Sequence, residues 1–401
     1  MGSPRGPRGV DRRSRRVHDR VSPQPEVRVL ATGAQALTSP GFRARVLLLR
    51  AELVRFEIRI DPLPLFTERE AATFAGGGVW RRGTVLIGAR SRLSRLLAKR
   101  AQEPADVAFI QRQADLLPQL TLERRASAGR RLVWDVDDAI WLDSSPAAGG
   151  HRLAVLKGTA RKVKWFAARA DRVVAANEYL ADYLSQYSSR VTIVPSVVEP
   201  RNVPVRRHVD ADEIVLGWIG SATTAPYLHE LMRTISSVAR ELRPRRVRLV
   251  SVGATARPTQ GVAVEPTPWS VEGELDALAR IDIGLMPMPY NDWTRGKSAY
   301  KALQYMSAGI PVVADDVGVA SSVIDSERAG FVVRGEQAWI EALVALARDP
   351  ELRERLGEHA RRRVEEHFSV QRWAPAISEI LSGERLQRSR GIERERIRTA
   401  T

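Results

Sequence analysis

The chain has 401 residues, with 63 Lys and Arg against 47 Asp and Glu, six His and no cysteine. That length suits two domains of ordinary size, each able to bury a core unaided. The missing cysteine excludes disulfides and thiolate metal ligands and fits a reducing compartment, while no stretch reaches the ~18 to 20 apolar residues of a membrane span and the arginine-rich start lacks the apolar segment of a signal peptide. A soluble, cytoplasmic protein is expected.

The net charge of +16 is uneven. Residues 1–25 hold seven Arg against two Asp, and residues 382–401 hold six Arg against three Glu. Both ends lack apolar content, so 1–25 reads as a disordered basic arm and 384–401 as a basic tail. Such ends are solvated or touch anionic lipid headgroups, which would place the protein peripherally at the inner face of the plasma membrane. No aromatics interleave the charges as in a single-strand binder, so no specific nucleic-acid partner is expected.

"VRVLATG" (Val27–Gly33) is a short apolar run stopped by glycine, the pattern of a buried parallel strand. "FEIRIDPL", "DVAFIQR", "RLVWDVDD", "DRVVAAN" and "VTIVPSV" follow at spacings that leave room for helices, giving a first α/β domain over 26–199. Residues 200–212, with mixed charge and little core material, read as a linker. A second series, "EIVLGWIGS", "RVRLVSVG", "VAVEPTP", "IDIGLMPMP", "IPVVADD" and "GFVVRG", marks a second α/β domain over 213–369. Residues 370–383 are expected as a C-terminal helix.

In "GKSAYKALQYMSAGIPVVADDVG" (Gly296–Gly318), Gly309 and Pro311 stop a helix expected over about Ser298–Ala308. Ala302, Leu303 and Met306 would face the core, and Lys297, Lys301, Gln304 and Ala308 would share a different stripe. Two ammonium groups at a helix N-terminus, where N–H groups are unpaired, suit a polyanion such as a diphosphate; Gln304 could bond ribose hydroxyls. The same stripe on an ordinary surface helix would look alike. "GWIGSATTAPYL" adds a turn, with Gly220, Ser221, Thr223 and Thr224, of a kind that presents N–H and hydroxyl groups to an anion or simply caps a helix. Ligands of open α/β sheets sit at strand carboxyl ends, where these segments would converge.

These blocks, with "SPGFRAR", "FIQRQADLLP", "VWDVDDAIWL" and "ADRVVAANEYLADY", resemble the retaining GT-B glycosyltransferases of family 4 (group 1), in one bacterial branch, over about Val27–Ser369. The resemblance implies two Rossmann-like, doubly wound domains facing across a cleft. The first would bind an acceptor and the second a nucleotide-sugar, and a C-terminal helix would cross back onto the first. It further implies retaining sugar transfer from a nucleoside-diphosphate sugar to a glycan or lipid-linked acceptor, in cell-surface polysaccharide or glycolipid synthesis. The family often carries two glutamates eight positions apart; here those positions are Gly296 and Gln304, so both carboxylates are missing. The expected donor contacts are Gly220, Ser221, Thr223, Thr224, Gly296, Gln304 and Gly318, with Lys297 and Lys301 on the diphosphate.

"DVDD" (Asp135–Asp138) resembles a metal motif of a different glycosyltransferase fold, but here it ends a strand of the first domain, away from the anion site. No metal or other cofactor is expected. Asp137 and Asp138 are candidates to orient or deprotonate an acceptor hydroxyl, with Arg112 beside them, and Arg43 and Arg45 are candidates for an anionic acceptor. The aspartates could equally cap a helix with the arginines paired to them. No histidine forms a catalytic constellation; His208 and His229 read as incidental. Two other readings stand: a nucleotide-sugar epimerase on the same fold, and a basic nucleic-acid-binding protein.

Overall fold

Twelve short apolar runs form two parallel sheets in a computed structural model of the chain, which describes Gly2 and residues 27–103, 105–142 and 158–383. The expectations for 1–25 and 384–401 fall outside the described residues, apart from Gly2. The first sheet holds β1 (Val27–Gly33), β2 (Ile58–Pro62), β3 (Val107–Gln111), β4 (Arg131–Val136), β5 (Arg172–Ala175) and β6 (Val191–Ile193). The second holds β7 (Glu213–Ile219), β8 (Arg246–Val252), β9 (Val262–Thr267), β10 (Ile283–Met286), β11 (Val312–Asp315) and β12 (Gly330–Val333). Each apolar run in the sequence falls on one strand; inner strands, covered on both faces, leave few polar positions, whereas the edge strands β6 and β9 hold no buried residue.

The orders are β2-β1-β3-β4-β5-β6 and β12-β11-β10-β7-β8-β9, two doubly wound sheets. Strand order reverses between β1 and β3 in one and between β7 and β10 in the other. These reversals leave a crevice at the carboxyl edge, and both crevices carry the candidate residues.

The helix Val370–Ser382 returns to the first sheet, where Val370, Ala374, Ile377 and Leu381 join a core with Val29, Val133, Val174 and Val194. Backbone bonds from Val198 N to Phe368 O and from Val370 N to Val198 O, both 3.0 Å, tie the crossing in place. The 200–212 segment is more firmly fastened than a plain linker. Arg206 bonds Asp282, the His208 ring contacts Gly309 O at 2.9 Å, and the His208 backbone donates to Glu354. His208 is therefore a buried anchor rather than incidental, and burial holds its pKa below the usual imidazole value.

Candidate active site

The second crevice begins where β7 and β10 part: they pair only at Leu216–Ile283 and Gly217–Gly284. Tyr305 fills the gap. Its hydroxyl accepts from Ile219 N at 2.8 Å and donates to Leu285 O at 3.4 Å, satisfying groups the parted ladder leaves open. A Cβ at Gly284 would sit 2.4 Å from this ring, so only glycine lets the tyrosine in.

Beyond β7, Gly220–Thr224 turns into the helix Ala225–Glu241, which starts without a capping side-chain bond and has proline in its first turn. The Ser221 and Thr223 hydroxyls lie 2.7 Å apart on this exposed turn. Facing it, the helix Tyr300–Ser307 also starts uncapped, from Ala299 at φ 51°. The N–H groups of Ala225 and Tyr227 are taken by Ser221 O and Thr224 O, so an anion between the two helix starts would meet the exposed hydroxyls of the turn on one side and the first turn of the Tyr300–Ser307 helix on the other. Lys301, in the first turn of the second helix, bridges them. Its Nζ lies 3.4 Å from Thr224 Oγ1 and 4.6 Å from the centre of the Trp218 ring. No carboxylate among the described residues pairs with it. Burial, and then the charge of Lys297, bring its pKa down from 10.5 to about 7.

Two expectations about this helix change. It starts at Tyr300 rather than Ser298, because Ala299 adopts the left-handed conformation, and Lys297 lies in the loop before it. Gln304 and Ala308 are buried along with Ala302, Leu303 and Met306, since the helix packs on most sides after its first turn. The expected open stripe therefore shrinks to Lys301, and Gln304 offers little surface to a ribose.

Lys297 instead crosses the cleft, with Nζ 2.9 Å from Asp138 Oδ1 and 4.6 Å from the Trp293 ring centre. Around Asp138, Arg112 Nη2 stands at 3.4 Å and also holds Asp137 through Nε at 2.5 Å and Nη2 at 3.0 Å. Burial alone would raise the Asp137 pKa, but Arg112 more than offsets it, so this carboxyl stays below the usual carboxylate range. Arg112 has φ 58°, a strained value for a non-glycine residue. The expected trio of Asp137, Asp138 and Arg112 is thus assembled at the cleft, joined to Lys297.

The two arginines expected at the acceptor are committed elsewhere. Arg45 is buried; it pairs with Asp135 through Nη2 at 2.5 Å and Nε at 3.0 Å, and donates through Nη1 to the carbonyls of Val194 and Pro195. Asp135 is thereby used up inside the fold, and no group of metal-ligating side chains forms among the described residues. Arg43 reaches into the second domain, where it meets Glu274 at 3.0 Å; the other oxygen of Glu274 accepts from Trp269 Nε1 at 2.9 Å.

Gly296 lies at the seam between the domains. A Cβ there would stand 2.8 Å from Ala139 Cβ, and Asn177 Nδ2 donates to the carbonyls of Gly296 and Lys297, each at 3.2 Å. Gly318, at φ 59°, packs against the backbone of Thr294 and Arg295, which lead into Gly296. Both glycines serve close approach of backbone here. Sequence reading missed Asn177, Glu274, Trp218, Trp269 and Tyr305. Only the Asn177 N-cap position, whose side chain accepts from Leu180 N, carries a local signal.

Residues 213–349 match the family described as glycosyl transferases group 1. Among solved structures, a sucrose-phosphate synthase from Thermosynechococcus elongatus aligns at TM-score 0.63 and 15% identity over 93% of this chain and 100% of its own. HepE from Anabaena, solved with UDP and glucose, aligns at TM-score 0.61 and 14% identity over 89% and 99%. The trehalose-6-phosphate synthase OtsA aligns at TM-score 0.60 and 10% identity over 89% and 99%. No curated protein sequence matches the chain. The two-sheet architecture is that of the GT-B fold shared with these structures. The match to glycosyl transferases group 1 covers about a third of the chain, and it is this match, on that fold, that indicates a glycosyltransferase enzyme.

Proposed function

We propose that the chain transfers a sugar, with retention as in family 4, from a nucleoside-diphosphate sugar to a glycan or lipid-linked acceptor. We place it in bacterial cell-surface polysaccharide or glycolipid synthesis at the inner face of the plasma membrane. The observation that carries the donor reading is Lys301: a half-buried cation with no carboxylate partner among the described residues, between two helix starts that no side chain caps. A buried charge left this way is costly unless an anion arrives. The structure of HepE with UDP-glucose supports a uridine nucleotide as the first donor to try.

As the glycosidic bond to the diphosphate breaks, negative charge grows on the leaving oxygens. Lys301, Lys297 and the Ser221–Thr224 turn would stabilise it, supplying positive charge that a divalent cation would otherwise bring. Asp138 would hold the acceptor hydroxyl from the opposite wall, with Asp137 and Arg112 fixing its position. Contacts across the cleft, Lys297 to Asp138 and Arg43 to Glu274, would keep water from the donor.

The test is calorimetric titration of UDP, GDP, ADP and dTDP, without and with magnesium, followed by assignment of the product anomer by NMR. One diphosphate should bind without metal, and Lys301→Ala should weaken it at least tenfold, the loss of one charge-assisted contact of about 1.5 to 3 kcal/mol. Binding that is absent, or indifferent to Lys301, would end the donor assignment.

A further inference from the structure

The helix Val79–Arg100 is longer than its place in the sheet requires. Its 22 residues span ~33 Å at about 1.5 Å per residue, whereas β2 and β3, which it connects, have five residues each, or ~17 Å at about 3.3 Å per residue. The surplus lies at its start. Arg90 already pairs with Asp115, past the end of β3, and Arg92 donates to Leu65 O, past the end of β2. The helix has therefore reached the carboxyl edge of the sheet by residue 90, and Val79–Gly88 run on for ~15 Å. One side of this stretch packs, with Val85 and Leu86 against the core and Arg82 donating to the Phe74 and Ala75 carbonyls of the helix Glu68–Gly76; the other side is open. The buried residues of this helix are Ala89, Leu93 and Leu97, and a Cβ added at Gly78, Gly83 or Gly88 would meet nothing within 4 Å.

The open face of this end is both apolar and cationic. Val79 is 86% exposed, Trp80 91% and Ile87 64%. Residues 77–102 contain seven Arg and Lys and no Asp or Glu. Arg90, Arg92 and Arg100 are paired with acids; Arg81, Arg82, Arg95 and Lys99 have no acidic partner among the described residues. At helical spacing Trp80, Thr84, Ile87, Ser91 and Arg95 form one stripe, opposite the buried face, with Arg81 and Lys99 on its flank.

We infer that this stripe is a docking surface for an anionic lipid bilayer. An indole at the tip seats at the headgroup level, the isoleucine enters the acyl boundary, and the arginines meet anionic headgroups. A nucleic acid would answer the cations and leave Val79 and Ile87 without purpose. The undescribed segments of this chain do not fit: 1–26 has seven Arg against three acids, 143–157 one Arg and one Lys against one Asp, and 384–401 six Arg against three Glu. Each is net positive, as is the stripe, and two copies of the stripe would likewise set like charges together. The prong leaves the same sheet edge that carries Asp137 and Asp138. A bilayer docked there lies beside the wall assigned to the acceptor, so that one membrane contact would serve lipid-borne acceptors.

The full chain should co-sediment with vesicles of phosphatidylcholine containing phosphatidylglycerol, not with phosphatidylcholine alone, and less so as salt rises. Trp80→Ser/Ile87→Ser and Arg81→Glu/Arg95→Glu should each lower the partition coefficient about tenfold or more, since one cation near such a surface is worth roughly fivefold. Nucleotide binding and melting temperature, read on the same proteins, should be unchanged, which separates failure of this surface from failure of the donor site. Three results would overturn the inference: wild-type binding by both variants, which would assign any vesicle contact to the basic ends; loss of oligonucleotide binding without loss of vesicle binding; or a wild-type dimer that the variants dissociate while vesicles are ignored.

Discussion

Lys297 of the second domain holds both carboxylate oxygens of Asp138 in the first, at 2.9 and 3.0 Å. A diphosphate seated at Lys301 must compete with that carboxylate for the same ammonium. Asp138→Asn is therefore expected to tighten diphosphate binding by roughly tenfold, the scale of one charge-assisted contact, and to slow sugar transfer, because the group facing the acceptor has lost its charge. Calorimetry and steady-state kinetics on one preparation check both. Unchanged affinity would reduce the pair to a strut.

Lys301 sets a pH dependence. Its folded pKa of about 7 lies below the unfolded value near 10.5, so between those values the unfolded chain binds more protons. This group therefore opposes folding at pH 7 and below, and its contribution to stability grows as pH rises from about 7 toward 10.5. Lys301→Met should raise the melting temperature near pH 7 and flatten its rise with pH. Diphosphate binding should draw a proton onto the amine above pH 7, seen as a binding enthalpy that varies with the ionisation enthalpy of the buffer.

Arg43 and Glu274 form a largely buried pair across the domains, with side chains 16% and 3% exposed. Removing one partner of such a pair leaves an uncompensated charge and costs on the order of 3 kcal/mol. Arg43→Met should lower the melting temperature strongly, while Arg43→Met with Glu274→Gln should recover much of the loss, a coupling read by a double-mutant cycle.

Gly296 admits no side chain without moving the seam, since a Cβ would press on Ala139. Gly296→Ala is expected to part the domains and disturb the carbonyls that Asn177 binds, lowering transfer by tenfold or more while diphosphate affinity at Lys301 changes little. Equal losses of both would show that the seam and the donor site are one unit.

The strands were legible because burial on both faces writes itself into a chain as short apolar runs, and the turn at Ser221–Thr224 because it follows such a run. Long-range pairing left no such mark. Arg45 looks like any arginine until Asp135, 90 positions away, is beside it, and Glu274 until Arg43 is. The helix start was misplaced for a local reason, the left-handed Ala299, which no side chain announces. Tyr305 reads as a core aromatic; its role depends on a gap between strands that are distant in sequence.

The helix Val370–Ser382 completes a core whose other members end near Val197. During synthesis that apolar face waits for some 170 further residues, roughly ten to thirty seconds at about 5 to 20 residues per second. The first domain thus emerges from the ribosome with an uncovered flank, and its closure waits until residues 370–382 have been made. Loss of this helix would be felt in the half of the molecule made first.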